Sequence, residues 1–219
     1  MKKYFITINL LMALALLSCS PSSQTESAPQ ALPYYHTADF TPLWLDAQDP
    51  ALDTLHRIGE FRLVDQLGDT LTQANFRDKI YVTNFFFTTC PGICPKMTSS
   101  LSMVQDAFLN DDDILLLSHS VTPKTDSVPV LKAYGERKGI DAKKWHLVTG
   151  DQQEIYHLGR KVYFVEEDLG LQKSDDAFLH TENLVLIDKK QHIRGIYNGL
   201  NKASITQLIA DIRTLQQEH

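Results

Sequence analysis

Two cysteines lie four positions apart in residues 85–97, whose sequence is FFFTTCPGICPKM. Each of them, Cys90 and Cys94, is followed by a proline, and the pair comes directly after an aromatic run. The chain contains only one other cysteine, Cys19, near the N-terminus. Two thiols this close can exchange a disulfide with a partner, form a structural disulfide, or bind one metal ion.

The spacing of the two cysteines suits the beginning of a helix. If Cys90 and Cys94 straddle its first turn, about 5.4 Å along the axis separates them, which permits a disulfide or joint metal binding. Pro95 fits the first turn, where its missing N–H costs nothing, and the helix N-terminus lowers the pKa of a nearby thiol. A structural disulfide is the least favoured of the three interpretations, because so short a loop adds little stability.

Two thiolates suit a soft ion such as Cu(I), and one more donor would complete its coordination. His119 and His146 lie in predicted strands, where we expect hydrogen-bonded structural histidines. We expect His157, in a predicted helix, and His192, in a polar turn, to be solvated. His180 lies in the loop FLHTEN, which can fold over an active site. From the residues alone, His180 is one candidate ligand among several.

The hydrophobic pattern predicts an α/β domain. Residues 79–87 (KIYVTNFFF) and 113–121 (DILLLSHSV) are typical of buried central strands, and residues 60–76 alternate around Gly68 as in a β-hairpin. The other predicted elements are helices at 95–109, 127–138, from Thr149 or Asp151 to Gly159, and 204–215, and strands at 145–150, 183–188 and 193–197.

This order of elements favours a mixed central sheet covered by helices on both faces. In such sheets, ligands bind beyond the carboxyl ends of the strands. Cys90 follows the end of the strand at 79–87, where a working site is expected.

The N-terminus indicates export. Lys2 and Lys3 precede an apolar run, residues 4–17, that is too short to span a membrane. The run ends in Leu-Leu-Ser-Cys, which resembles the lipobox of bacterial lipoproteins, where cleavage precedes a cysteine that carries lipid. We therefore predict a signal peptide at 1–18 and a lipid on Cys19 that anchors the chain to a membrane.

After the signal peptide, residues 19–58 are predicted to form a tether that begins with a Pro/Ser-rich stretch, and residues 59–219 to form one domain. The aromatic residues of 33–44 can pack on the domain or await a partner. Loss of Lys2 and Lys3 changes the formal charge from −6 to −8. A chain so acidic, with no basic stripe, is poorly suited to nucleic acid.

Beyond the thiols, several ordered segments resemble the Sco/SenC family. The CPxxCP core of TTCPGICPKM resembles the signature of that family, and the likeness extends from residue 61 to the C-terminus. The other similar segments are FRLVDQLGDTLTQANFRDKIYVTNFFF, VTPKTDSVPVLKAYGERKGI, WHLVTGDQQEIYHLGRKVYFV and HTENLVLIDKKQHIRGIY.

The resemblance implies a thioredoxin-like fold and a membrane-attached domain on the periplasmic face of the cell envelope. It also implies copper, Cu(I) or Cu(II), bound by Cys90, Cys94 and His180. Members of the family serve the assembly of the binuclear copper centre in subunit II of cytochrome c oxidase, by delivering copper or by reducing the cysteines that receive it.

The chain departs from the family pattern at two places. Gly92 and Ile93 stand between the cysteines, where the family usually has an acidic residue. Thr122 replaces the first aspartate of the family segment Val-Asp-Pro, whereas Asp126 keeps the second. Any role of the missing carboxylate is lost or moved.

Three functions remain open at this stage. The first is a copper chaperone, and the second is a thiol–disulfide oxidoreductase in which Cys90 attacks and Cys94 resolves the mixed disulfide. Whether the protein is an enzyme depends on that choice. The third is a peroxide-reducing enzyme or a sensor, for which Arg77 or Arg160 would have to lie at the thiols.

Overall fold

The structure is a computed structural model, and it describes residues 31–169 and 177–218. The predicted signal peptide, Cys19 and the first part of the predicted tether lie outside these residues. Within the described part, none of the helices has the length and apolar character needed to cross a membrane.

The described residues form one mixed sheet of nine strands. In chain order these are β1 (Tyr34–Tyr35), β2 (Pro42–Leu43), β3 (Arg62–Asp65), β4 (Thr70–Thr72), β5 (Ile80–Phe86), β6 (Ile114–Ser120), β7 (Trp145–Thr149), β8 (Asn183–Ile187) and β9 (Ile193–Asn198). Their order across the sheet is β2-β1-β9-β8-β5-β6-β7-β3-β4. Strands β5, β6 and β7 are parallel, and β8 and β3 flank them in the antiparallel direction.

Four α-helices accompany the strands: α1 (Cys94–Ala107), α2 (Val128–Lys138), α3 (Gln152–His157) and α4 (Lys202–Gln217). Short 3₁₀ helices span Pro50–Thr54 and Gln73–Phe76, and a π-helical turn, Leu158–Val162, continues α3. The helix boundaries have local causes. Helix α2 ends at Gly139, whose φ of 67° suits a residue without a Cβ, and Asn201 caps α4 by accepting from the N–H groups of Ala203 and Ser204.

Strand β5 separates two cores, because successive side chains point to opposite faces of a sheet. Val82 and Phe86 pack with residues of α1, α2 and α4. Tyr81 and Phe85 pack on the other face with the β3–β4 hairpin and the π-helical turn. The predicted α/β class, mixed sheet and N-terminal β-hairpin are confirmed.

Part of the predicted tether packs on the domain. Strand β1 pairs with β9, and Leu32 and Tyr34 are buried. The buried Arg194 holds this segment by donating to the carbonyls of Leu32 (2.7 Å) and Pro33 (3.0 Å), and its guanidinium lies 4.0 Å from the centre of the Tyr34 ring. The domain boundary at residue 59 stays a prediction. Of the aromatic residues of 33–44, Tyr34 packs on the domain, whereas Trp44 is 58% exposed.

Candidate thiol site

Cys90 lies in the loop that follows β5, and Cys94 is the first residue of α1. Both are free thiols, 8% and 3% exposed. The structure therefore brings the two predicted site cysteines together at the carboxyl end of a central parallel strand, as expected. They do not both lie within the first helical turn, since Cys90 precedes the helix.

The pKa values of the two thiols move in opposite directions. Burial raises the pKa of Cys90, but hydrogen bonds from the Cys94 thiol and from the backbone N–H groups of Cys94, Gly92 and Ile93 outweigh burial and lower it. Burial, together with donation to Cys90, raises the pKa of Cys94 to about 12. The expectation that the helix N-terminus lowers the thiol pKa holds for Cys90 only.

The beginning of α1 explains why Cys90 is favoured as the thiolate. Ile93 occupies the N-cap position and offers no side-chain acceptor, so the first N–H groups of the helix need another partner. Pro95 has no N–H, and Lys96 donates to the Ile93 carbonyl at 3.0 Å. The sulfur of Cys90 accepts from the remaining N–H, that of Cys94, and from Gly92 and Ile93 before the helix. Negative charge at a helix N-terminus is stabilised by these N–H dipoles.

A buried carboxylate holds the loop that carries Cys90. Asp126 is fully buried and accepts from the Thr88 hydroxyl (2.5 Å) and N–H (3.1 Å), the Ser120 hydroxyl (2.6 Å) and the Thr122 hydroxyl (3.0 Å). Thr88 is two residues before Cys90. Asp126 therefore joins the thiol loop to the end of β6. The sequence pattern marked Asp126 but did not reveal this role.

The Thr122 departure has a visible consequence. Its hydroxyl donates to Asp126, which an ionised aspartate at this position could not do. Thr122 therefore strengthens the Asp126 cluster where the family usually adds a second carboxylate.

Three of the histidines considered in the sequence lie on β6, β7 and α3. His119 is buried, stacks on Phe85 at 4.5 Å and lies 3.1 Å from the Thr83 hydroxyl, and burial lowers its pKa to about 3. His146 lies 3.3 Å from Asp65. Both confirm the structural interpretation, and His157 is exposed, as predicted.

The prediction that His192 is solvated is wrong. The side chain is buried, and its Nε2 accepts from the Arg57 Nε–H at 3.1 Å. Tyr34 packs edge-on against its ring at 5.4 Å. Residues distant in sequence therefore cover the polar turn.

Aromatic contacts connect His180 to Phe87, three residues before Cys90. The His180 side chain is exposed, and its ring lies 6.2 Å from that of Phe178, which in turn lies 5.5 Å from Phe87. The next residue, Thr181, is tied by its hydroxyl to the Val165 carbonyl at 2.9 Å. Within residues 31–169 and 177–218, no three His, Cys, Asp or Glu side chains lie close enough together to hold one metal ion. His180 as a ligand stays a prediction.

Neither candidate arginine is positioned for peroxide chemistry. Arg77 lies three residues before β5, at its amino end, whereas Cys90 follows its carboxyl end. Arg160 forms an ion pair with Glu166 at 3.1 Å and donates to the Ala177 carbonyl, both outside the thiol loop.

The SCO1/SenC family model matches residues 49–217. A Bacillus subtilis protein described as a SCO1 protein homolog is 22% identical over 161 residues, covering 73% of this chain and 82% of that protein. The structure of BsSco, in which a disulfide switch was identified, belongs to the Sco family of cytochrome c oxidase assembly proteins. It matches with a TM-score of 0.63 at 22% identity, over 74% of this chain and 94% of BsSco.

The structure of Bradyrhizobium japonicum ScoI with copper bound is 25% identical, with a TM-score of 0.58, and the match covers 73% of this chain and 99% of ScoI. Together with the mixed sheet and the paired thiols at its carboxyl edge, these matches show that the chain belongs to the SCO1/SenC family and has its thioredoxin-like fold.

Proposed function

We propose that this protein is an extracytoplasmic copper chaperone for the assembly of the binuclear copper centre of cytochrome c oxidase, in which Cys90, Cys94 and His180 hold the copper. Membership of the SCO1/SenC family, the copper-bound Bradyrhizobium relative and the oxidase-assembly family of BsSco support this proposal. The observation that carries it is the contact between two free thiols at the start of α1.

The donor chemistry of this pair fits copper. Two sulfur ligands select a soft ion such as Cu(I), and an imidazole completes a three-ligand site. Because the pKa of Cys94 is raised to about 12, copper binding must displace the proton of that thiol, so the affinity rises with pH. Cys90 begins closer to its thiolate form.

His180 would complete the site by a movement of its side chain. Its exposed ring rests on the half-exposed Phe178, whereas the backbone on either side is held by the bond from Arg160 to the Ala177 carbonyl, by the buried Leu179 and by the bond from Thr181 to the Val165 carbonyl. An acceptor protein can replace such an outer ligand first, so copper would pass by ligand exchange rather than by free dissociation.

The asymmetry of the thiols also supports a second candidate, a thiol–disulfide oxidoreductase that reduces the cysteines of the copper acceptor. In that reaction the Cys90 thiolate attacks the partner disulfide and Cys94 releases the product by forming the Cys90–Cys94 disulfide. The two electrons leave the pair of thiols and reduce the partner. Forming the same disulfide would also remove both sulfur ligands from copper.

The first experiment counts copper on the full chain in a nonionic detergent. The protein is reduced without oxygen, loaded with Cu(I) and treated with a competing chelator. We expect about one retained copper per chain and clear losses in Cys90→Ser, Cys94→Ser and His180→Ala. His157→Ala and Met103→Leu, which remove exposed donors elsewhere, are the matched controls. A parent chain that retains no copper would sink the chaperone proposal.

A disulfide-exchange assay separates the two candidates. An oxidoreductase needs Cys90 and Cys94 but not His180, so His180→Ala should exchange disulfides at the parental rate. A chaperone should lose most of its copper affinity in the same variant. Exchange that is undetectable in the parent would eliminate the oxidoreductase.

The proposal includes a lipid anchor on Cys19, supported by the lipobox-like Leu-Leu-Ser-Cys. Mass spectrometry of the mature protein should show a chain that begins at Cys19 and carries acyl groups. Recovery of Cys19→Ser in the membrane at the parental level would contradict the anchor.

A further inference from the structure

A basic cavity with a volume of about 1020 Å³ opens near the carboxyl edge of the sheet, where the thiols also lie (the thiol edge). Lys124, Arg160 and Lys161 line it, together with His157, Tyr156 and the single carboxylate of Asp151. Because Arg160 is paired with Glu166, two lysines against the carboxylate of Asp151 leave a positive recess in a chain whose formal charge is −6. Such a local reversal of sign favours an anionic ligand.

Two of these cations, Lys124 and Lys161, form no ion pair with the residues that the structure describes. Arg160 is paired with Glu166 and lies 5.3 Å from the centre of the Tyr156 ring. Arg160 and Tyr156 therefore form a fixed wall, and the two lysines supply the charge for a ligand.

Hydrogen bonds fix both sides of the cavity to the thiol edge. Lys124 lies in the loop between Thr122 and Asp126, which Asp126 joins to Thr88 and so to the Cys90 loop. On the other side, Arg160 donates to the Ala177 carbonyl, next to Phe178. The Tyr156 hydroxyl donates to the Val121 carbonyl at the end of β6 (3.2 Å). The cavity and the thiols therefore share one face of the molecule.

Phe178 adds an exposed apolar side chain next to Ala177, the residue that Arg160 holds. It is 50% exposed and packs on Phe87 and His180. Protein interfaces combine aromatic anchors of this kind with a polar rim. Small-molecule pockets are instead mostly apolar with a few convergent polar groups, whereas Lys124, His157 and Lys161 are exposed.

We propose that this cavity is a docking site for an acidic segment of the protein that exchanges copper or electrons with the thiols. The identity of that partner rests on the proposed function, whereas the chemistry of the contact does not. Carboxylates of the partner engage Lys124 and Lys161, an apolar side chain packs on Phe178, and the acceptor groups face Cys90. Membrane headgroups are less suited, since binding to an anionic membrane takes a larger cluster of basic residues.

The test uses the reduced, copper-free full chain in a nonionic detergent. The probe is a fluorescent peptide with several glutamates and one leucine, compared with its glutamine counterpart by fluorescence anisotropy. We expect the glutamate peptide to bind more tightly, to weaken as salt rises, and to lose at least tenfold in affinity in the double variant Lys124→Glu/Lys161→Glu. The control Lys132→Glu/Lys143→Glu changes the net charge equally at exposed lysines elsewhere and should lose less than about twofold.

Three results would overturn the proposal: equal binding of the two peptides, equal loss in the control variant, or tighter binding of inorganic phosphate or anionic phospholipid vesicles than of the glutamate peptide. Copper retention distinguishes failure of the docking proposal from failure of the chaperone proposal. The Lys124→Glu/Lys161→Glu variant should retain as much copper as the parent. If the parent retains none while peptide binding behaves as expected, the docking site stands and the chaperone proposal fails.

Discussion

The two halves of the proposed copper site differ in how firmly the fold holds them. The Cys90 sulfur accepts from three backbone N–H groups and from Cys94, and its loop is tied down by the fully buried Asp126. His180 is exposed, and its ring contact is with Phe178, which is itself half exposed. The fold therefore arranges the sulfurs in advance and leaves the third donor adjustable, which suits a site that must both take up and release its metal.

Asp126→Asn should have the largest effect, because it disrupts the hydrogen bonds that hold the Cys90 loop, the rigid half of the site. One carboxylate oxygen of Asp126 accepts three hydrogen bonds and the other accepts one, so an amide NH₂ in either orientation meets a donor. We expect a loss of about 2–4 kcal/mol in the free energy of unfolding, measured by urea denaturation. The exposed Asp106→Asn should stay within about 0.5 kcal/mol of the parent. Equal midpoints for Asp126→Asn and the parent would show that this carboxylate does not secure the loop.

His119 contrasts with His180, because the His119 side chain is buried and stacked on Phe85, whereas the His180 side chain is exposed. Burial lowers the folded-state pKa of His119 to about 3, against about 6.5 in the unfolded chain. The unfolded chain therefore binds the extra proton, and stability falls as the pH drops below about 6.5 and continues to fall to about 3. From pH 8 to pH 5 this histidine should cost about 2 kcal/mol.

Replacing His119 with Phe isolates this contribution, since the ring can still stack on Phe85. His56 and His146 also have pKa values lowered by burial, so the parent loses more than one histidine accounts for. The test is therefore the difference between the two stability–pH curves. Parallel curves for parent and His119→Phe would refute the assignment.

Local patterns in the sequence predicted the parts of the molecule that local physics determines. Alternation and apolar runs located strands β5 and β6, and Gly139 marked the end of α2. The position of Cys90 at the carboxyl edge of the sheet could also be predicted, because Cys90 follows a central parallel strand.

Groups brought together from distant parts of the chain were not predictable in this way. The local sequence around His192 predicts a solvated side chain. Arg57 and Tyr34, which are at least 135 residues away in sequence, cover it instead. The hydroxyls around Asp126 come from two loops and a strand, and the raised pKa of Cys94 depends on burial that only the packed structure provides. His180 illustrates the remaining limit, since the family resemblance names it as a ligand but no local pattern fixes its distance from the thiols.

Within the rigid half, Cys94→Ala should make Cys90 less reactive. The variant removes the thiol that donates to Cys90, which raises the pKa of Cys90 and lowers its thiolate fraction near neutral pH. Loss of a hydrogen bond worth about 1 kcal/mol corresponds to about a fivefold slower alkylation by iodoacetamide. Cys94→Ser retains a hydroxyl donor and should fall between the alanine variant and the parent. Faster alkylation of Cys94→Ala at neutral pH would mean that burial by Cys94, rather than its hydrogen bond, controls Cys90.

The smallest effect is expected for a change next to His180, the adjustable half of the site. Phe178→Ala removes the ring against which His180 rests, so His180 loses orientation and Cu(I) affinity should fall about threefold, with little change in stability. Leu169→Ala, at an apolar side chain that is 68% exposed, should leave copper affinity unchanged. The decisive comparison is a double-mutant cycle, because Phe178→Ala acts through the imidazole and should have no further effect on the His180→Ala background. If the two losses simply add, Phe178 touches the copper site by another route, and His180 does not depend on the aromatic rim.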